Sequence, residues 1–504
     1  MSSAPPVWVA LTYVRDRSHW VVELRKPDVH IELDVQVHHE RNASTEGWLR
    51  PPQGMSWVAT ALLLVGELAG GGMVALPHAC RSLGLVAGSC LLLLFTVVSA
   101  FTAVLLGRCW LILQARWPQY RTHCQKPYQE IGGRACGPWM SVCVSCCIQF
   151  TLFGTCVAVL ILAAQNFRVL CEDWVGLKFP FCGYLIIVAL LVAPFTFMGS
   201  PKDFWYIMIG GIVCTSVSAC FLLVGMSMDK VHMSEEALST HRDQYGTNRT
   251  VSFWRHPWTS AEVNALFMAV GVFIFFFTGH SVFPAVQQDM KDPRRWNIVV
   301  YVAHFALLLF YAPVTLLGYV VYGDAVHVNV IQNLRNRVCR SVVSFLIALH
   351  VMFSFILIIN PVNQEVEHLL SVPHSFGWRR LVVRSLVVLT VIFVAESIPN
   401  LSPVLSFVGG STVTLLALVF PPLFYICLIN QSKQLENVQA VPVELAHDKQ
   451  LTLRCTVFNC LPCHVFLPVL LVTVAGLVIA VGCTVVSAEQ VLDGFLPPCY
   501  IRIT

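Results

Sequence analysis

Two short stretches of this 504-residue chain place helix-weakening and ionisable residues inside otherwise apolar sequence. The first stretch has three consecutive glycines after a carboxylate, and the second has a glycine beside a histidine. The residues are Glu67, Gly70, Gly71 and Gly72 in the first stretch, and Phe277, Thr278, Gly279 and His280 in the second. Glycine weakens a helix, so both stretches predict a break that leaves backbone N–H and C=O groups without intrahelical partners.

The predicted breaks could bind a ligand that carries both charges. Free N–H groups at the start of a half-helix attract a carboxylate, and freed carbonyls hold an ammonium group or a cation. A zwitterionic amino acid meets both needs, so the seven residues Gly70, Gly71, Gly72 and Phe277–His280 are predicted to bind it. The alternative for the three glycines is that they only allow close helix packing.

Four side chains are candidates for coupling an ion to the bound ligand: Glu67, His280, Ser354 and Glu396. A charged group in mid-membrane costs about 2.5–3.5 kcal/mol, so such a carboxyl group should be neutral or paired. Each residue also has a structural interpretation, such as an arginine partner or an interhelical hydrogen bond. His304 and His350 are expected to be hydrogen-bonded packing residues. No metal site or resident cofactor is expected, and the coupling ion is H⁺ or Na⁺.

The amino-acid composition indicates whether these residues lie in water or in lipid. The chain is 56% hydrophobic and 12% charged, against roughly a quarter charged in soluble domains. It is therefore expected to lie in a lipid bilayer, as an all-α polytopic membrane protein. A net charge of +4 without a basic stripe argues against nucleic acid as a partner. The sequence does not identify a protein partner.

Apolar runs of about 20 residues predict about eleven spanning helices. They cover residues 57–79, 83–107, 139–167, 182–199, 204–228, 263–286, 298–322, 341–363, 382–398, 402–429 and 465–487. The two predicted breaks lie in the first and sixth helices. Taken as the leading helices of two five-helix halves, these predict an inverted repeat plus one extra helix. The predicted domains are an N-terminal segment (1–54), a transmembrane domain (55–487) and a short tail (488–504).

A cytosolic N-terminus places 21 of the 32 Lys and Arg residues on the cytosolic side, as the positive-inside rule favours. This orientation puts the glycosylation sequon at Asn248 in an outer loop. Cys171 and Cys182 flank a short outer loop and are candidates for a disulfide.

Several motifs resemble the amino acid/auxin permease family, which includes vesicular inhibitory amino-acid transporters and proton-coupled amino-acid transporters. The motifs are GGGMVALPHA (70–79), YQEIG (128–132), GHSVFP (279–284), DMKDP (289–293), NPVNQE (360–365) and IPNL (398–401). The resemblance implies a LeuT-type core with eleven helices, and amino-acid transport coupled to protons or sometimes to sodium. Glu67 and Glu396 depart from the commoner family pattern.

The leading hypothesis is a proton-coupled amino-acid symporter that works by alternating access, and not an enzyme. The alternatives are sodium coupling, vesicular exchange, or an amino-acid sensor whose N-terminal segment binds a partner. The membrane is expected to be the plasma membrane or a lysosomal or vesicular membrane.

Overall fold

The computed structural model of the protein describes residues 11–16, 19–26, 29–33, 54–197, 205–239, 251–252, 259–373, 377–439, 463–493 and 499. The chain forms two compact units, Met1–Arg50 and Pro51–Thr504. Asn248, the predicted glycosylation site, lies outside the described residues.

The N-terminal unit contains a three-stranded antiparallel sheet in the order β1-β2-β3. The strands are β1 (Leu11–Asp16), β2 (His19–Lys26) and β3 (Val29–Leu33). The alternation of apolar and polar residues that begins at Val29 is typical of a strand with two unlike faces.

The second unit is helical, which confirms the all-α prediction for the transmembrane part. Its helices are α1 (Trp57–Leu83), α2 (Leu85–Arg116), α3 (Pro127–Cys136), α4 (Pro138–Leu170), α5 (Phe181–Val192), α6 (Trp205–Ser239), α7 (Ser260–Phe277), α8 (Phe283–Gln288), α9 (Trp296–Tyr322), α10 (Arg337–Leu369), α11 (Trp378–Ser397), α12 (Leu401–Val408), α13 (Phe420–Gln439) and α14 (Cys463–Asp493).

Within the described ranges, nine helical segments are long and apolar enough to cross a membrane. The predicted fourth helix is shorter, at Phe181–Phe197. The predicted ninth corresponds to α11, which contains Arg379, Arg380, Arg384 and Glu396. Helices therefore stand at all the predicted places, while the count of about eleven membrane crossings stays a prediction.

The predicted break in the sixth segment is confirmed, and the one in the first is wrong. Helix α7 ends at Phe277 and α8 begins at Phe283, with non-helical backbone between them. Helix α1 runs without interruption from Trp57 to Leu83 and includes all three glycines. Neighbouring side chains fill the space beside those glycines, so the packing alternative explains them.

Buried charges hold α10, α11 and the 3-10 turn after α5 (Ala193–Phe197) together. The guanidinium of Arg384 donates to Glu367 Oε1 at 2.6 Å and to the Thr196 carbonyl at 2.7 Å. Arg380 donates to the same carboxylate at 3.0 Å. Glu367 and Arg384 are each 1% exposed, and a charge at such depth requires a partner. Helix α4 packs against α10, which adds a fourth helix to this group.

The predicted disulfide is also wrong. Cys182 is bonded to Cys499, 317 residues away in sequence, and Cys171 is a free, partly buried thiol. Cys171 begins a π-helical turn after α4, whereas Cys182 lies at the start of α5 beside the C-terminal segment. Helix α14 extends to Asp493, beyond the predicted end of the transmembrane domain at 487.

Candidate functional site

A cavity of about 280 Å³ lies where α1, α4, α10 and the break between α7 and α8 meet. Most of its lining is apolar, with a few polar side chains from several helices. The polar lining residues are Glu67, Thr151, Thr155, Thr278, Ser281, His350 and Ser354. A mostly apolar cavity with a few convergent polar groups is typical of a small-molecule site.

The structure places some of the predicted site residues on this cavity and the others behind it. Glu67, Gly71, Thr278, Gly279 and Ser354 belong to the lining. Gly70, Gly72, Phe277 and His280 do not, and all four are buried. Glu396 is also absent from the lining, because its carboxylate lies within 4.8 Å of the sulfurs of Cys182 and Cys499.

The three glycines of α1 bring neighbouring helices into close contact. A Cβ added at Gly70 would lie 1.8 Å from His350 Nε2, and one at Gly72 would lie 2.7 Å from the Tyr311 ring. At Gly71 the nearest atom is Cε1 of Phe276, at 3.1 Å. Gly71 also faces the cavity, so a larger side chain there would enter it.

Hydroxyl groups satisfy the carbonyls that the end of α7 releases. Ser99 donates to the Phe277 carbonyl at 2.5 Å, and Thr278 donates to the Ile274 carbonyl at 2.7 Å. The Tyr311 hydroxyl lies 2.5 Å from the Leu68 carbonyl and 3.3 Å from that of Phe276. Buried carbonyls need such partners, so Tyr311 joins α1 to the break.

Two histidines lie behind the break. Nε2 of His280 is 3.0 Å from the Thr102 hydroxyl, and Nε2 of His304 is 3.0 Å from the Ser99 hydroxyl. Nδ1 of His304 donates to the Val300 carbonyl at 2.9 Å. His304 is therefore a hydrogen-bonded packing residue, as predicted. His280 packs at the rear of the break and not in the cavity.

Glu67 is the carboxylate of the cavity. It is partly buried, and in the described part of the chain no ion pair or hydrogen bond to its side chain is found. Residues three and four apart share one face of a helix, so Glu67 lies on the same face of α1 as Gly70 and Gly71. An arginine partner, one of the structural interpretations of Glu67, is not found among the described residues.

His350 lines the cavity on the α10 side, although the sequence predicted only a packing role. Its Nδ1 is 3.2 Å from both the Gly211 carbonyl and the Thr215 hydroxyl. Its Nε2 is 3.5 Å from the Ser354 hydroxyl. The available signal was the four-residue spacing of His350 and Ser354, which puts both on one helix face.

Sequence reasoning also missed two threonines of α4. Thr155 donates to the Thr151 carbonyl at 2.7 Å, and the Thr151 hydroxyl is 2.7 Å from that of Thr412. Both threonines line the cavity. Their four-residue spacing within an apolar helix could have indicated a shared polar face.

Among the residues that the structure describes, one group has donor atoms close enough to hold a metal ion: Cys182, Glu396 and Cys499. The two sulfurs are bonded to each other, so the group offers a single free ligand in this state.

Comparison with known proteins identifies the family. Residues 53–467 match the family described as transmembrane amino acid transporter protein. The chain belongs to this amino acid/auxin permease family. It is 26% identical over 402 residues to the amino acid transporter AVT1D of Arabidopsis thaliana, which covers 78% of this chain and 66% of that protein. It is 25% identical over 193 residues to the vesicular GABA transporter of Caenorhabditis elegans, which covers 36% of this chain and 39% of that protein.

A solved structure supports the fold of this chain. The crystal structure of MhsT in complex with L-phenylalanine aligns with a TM-score of 0.50 at 10% identity, covering 86% of this chain and 99% of that one. At that identity the likeness concerns the fold alone. The described helices have the LeuT-type fold that the family resemblance implied.

Proposed function

We propose that the protein is a secondary active amino-acid transporter that couples transport to protons. The observation that carries the proposal is the cavity beside the broken helix, with the carboxylate of Glu67 facing it. Family membership supports amino acids as the substrate class.

The cavity suggests how an amino acid would bind. Glu67 supplies a carboxyl oxygen that can accept a hydrogen bond from the substrate ammonium, while Ser281, Thr278 and Ser354 offer hydroxyl groups. The apolar part of the lining, which includes Leu64 and Val159, would cover the substrate side chain. Because α1 is continuous, its glycines release no N–H groups for the substrate carboxylate. Backbone N–H groups for the substrate carboxylate would therefore come from the break after α7.

Glu67 is the proposed proton carrier. A carboxyl group at this depth is costly when it is charged and unpaired. In the proposed cycle Glu67 takes up a proton on the side where the amino acid binds, stays neutral while the loaded cavity changes its access, and releases the proton with the amino acid on the other side. One proton that moves through 100 mV supplies about 2.3 kcal/mol, enough for roughly 50-fold accumulation.

The packing supports alternating access between two helix groups. Helices α4, α5, α10 and α11 form one group, in which α10, α11 and the turn after α5 share the buried Glu367 and Arg384 cluster. Helix α1 belongs to the other, because Met55, at its start, exchanges backbone hydrogen bonds with Asp289 and Lys291 after α8. The cavity lies between the groups, so rocking of one against the other would open it to either side.

Sodium coupling is the second candidate. Glu67 and Ser354 put a carboxylate and a hydroxyl oxygen on one cavity, and oxygen ligands are what a hard cation prefers. Vesicular exchange and a sensor role use the same site and differ in whether substrate crosses the membrane. The proposed setting is the plasma membrane or a lysosomal or vesicular membrane, with the N-terminus in the cytosol.

The test is uptake of single labelled amino acids into proteoliposomes, with an inward proton gradient, a sodium gradient or neither. Gly71→Leu should abolish uptake by filling the cavity. Gly183→Leu is the matched control, because the nearest atom to a Cβ there is 3.9 Å away, and it should leave uptake intact. Uptake driven by sodium alone would favour the second candidate. Ligand binding without uptake of any amino acid would favour the sensor.

A further inference from the structure

A second, polar pocket lies at the C-terminal end of α4 and the N-terminal end of α10. It has a volume of about 500 Å³ and is lined by charged and amide side chains from the end of α4, the loop before α10 and the start of α10. Six residues of α4 separate Val159 of the cavity from Gln165 of this pocket, which corresponds to about 9 Å along the helix. In the predicted orientation the pocket faces outward, and we call it the outer pocket.

Two ion pairs line the outer pocket, and they differ in how firmly they are held. Arg340 binds Asp173 through two hydrogen bonds, of 2.5 and 2.9 Å, and also donates to the Leu334 carbonyl at 3.2 Å. The side chains of Arg340 and Asp173 are 27% and 11% exposed. Ser341 donates to the same carboxylate at 3.3 Å. This ion pair is bidentate and has additional hydrogen bonds to Ser341 and to the Leu334 carbonyl. It therefore stays closed and forms a rigid side of the pocket.

The other pair is weak. Arg168 donates to Glu172 at 2.7 Å through one nitrogen, and the two side chains are 47% and 32% exposed. Exposed ion pairs between residues four apart in a helix contribute little to stability. The pair can therefore open and offer both charges to a ligand.

Gln165 lines the same pocket and carries an unsatisfied acceptor. Oε1 of Gln165 is buried and accepts no hydrogen bond within the described structure. Gln165 precedes Arg168 by three residues and lies on the same helix face. A buried acceptor without a donor is costly, and rotation of the Gln165 amide into the pocket would let a ligand ammonium group supply the donor.

We propose that the outer pocket is a second amino-acid site, in which Arg168 binds the ligand carboxylate while Glu172 and Gln165 Oε1 bind its ammonium group. The two arginines and two acids of the pocket cancel in charge. A lone anion or cation would satisfy one member of the open pair and leave the other without a partner. A zwitterion satisfies both members and the amide oxygen as well. The inference deepens the proposed function, since the pocket would hold the substrate on its way to or from the cavity.

The test is equilibrium binding of single labelled amino acids to the purified full-length protein. Wild type should bind two molecules per chain, and Arg168→Gln/Glu172→Gln should bind one. Lys178→Gln removes an exposed positive charge between α4 and α5 and should still bind two. Acetate and methylammonium, which each carry half of the ligand's charge, should compete at least 10-fold less well for the outer pocket.

Combining variants distinguishes ligand binding at the outer pocket from ligand binding at the cavity. Gly71→Leu should retain one molecule per chain, and adding Arg168→Gln/Glu172→Gln should weaken that binding at least 10-fold. One molecule bound by wild type and none by folded Gly71→Leu would overturn the outer site while the proposed function stands. Binding retained by Gly71→Leu, with no uptake by wild type, would support the outer site and count against the proposed function. A double variant that still binds two molecules would also overturn the outer site.

Discussion

The imidazole of His350 occupies the space beside Gly70. A Cβ at this glycine would lie 1.8 Å from Nε2 of the histidine, so α1 and α10 meet there with no room for a side chain. This contact joins a helix of one group to a helix of the other, beside the cavity. It explains a glycine that sequence analysis assigned to a helix break.

Gly70→Ala should destabilise the protein by about 1–3 kcal/mol, because the added methyl group must displace the buried His350 ring. Thermal unfolding in detergent should show a lower midpoint. Gly183→Ala, where the nearest atom is 3.9 Å away, should have little effect. Equal midpoints for the two variants would contradict the close contact of Gly70 with His350.

Glu67→Gln should remove the dependence of uptake on the proton gradient. In wild type, uptake should rise as the pH on the substrate side falls, because the carboxyl group must be protonated to complete the cycle. The glutamine amide does not gain or lose a proton in this pH range, so uptake by the variant should not depend on pH. Glu489→Gln, at an exposed residue of α14, is the control and should keep the wild-type profile. A wild-type profile in Glu67→Gln would remove this residue from proton coupling.

Glu367→Gln should cost about 3–5 kcal/mol, because it leaves the buried guanidinium of Arg384 without its negative partner. Chemical or thermal unfolding would measure the loss. Arg295→Gln is the comparison, because Arg295 forms an exposed pair with Asp292 at 3.3 Å and should change stability by about 1 kcal/mol or less. A similar loss in both variants would argue against the buried cluster as the link between α10 and α11.

Peptide mapping without reduction should recover Cys182 linked to Cys499, and alkylation should label Cys171. Cys499→Ser should lower the unfolding midpoint, because a bond across 317 residues restricts the unfolded chain. Cys171→Ser should leave the midpoint nearly unchanged. A peptide that links Cys171 to Cys182 would contradict the structure and restore the pairing that the sequence suggested.

The sequence by itself determined that the protein lies in a membrane, that its membrane part is helical, and which family it belongs to. Long apolar runs specify membrane helices without any knowledge of neighbours, because the bilayer acts on each segment separately. The break after Phe277 was also visible, since Thr278, Gly279 and His280 weaken a helix locally.

Only the tertiary structure decided what lies beside each residue. Gly70 could release backbone groups or admit a neighbour, and the position of His350 selected the second. Cys182 lay nearer in sequence to Cys171 but is bonded to Cys499. His280 and Glu396 have suitable chemistry, yet their side chains are held away from the cavity. Spacing along the chain defines faces and loops, whereas contacts between distant residues depend on how the helices pack together.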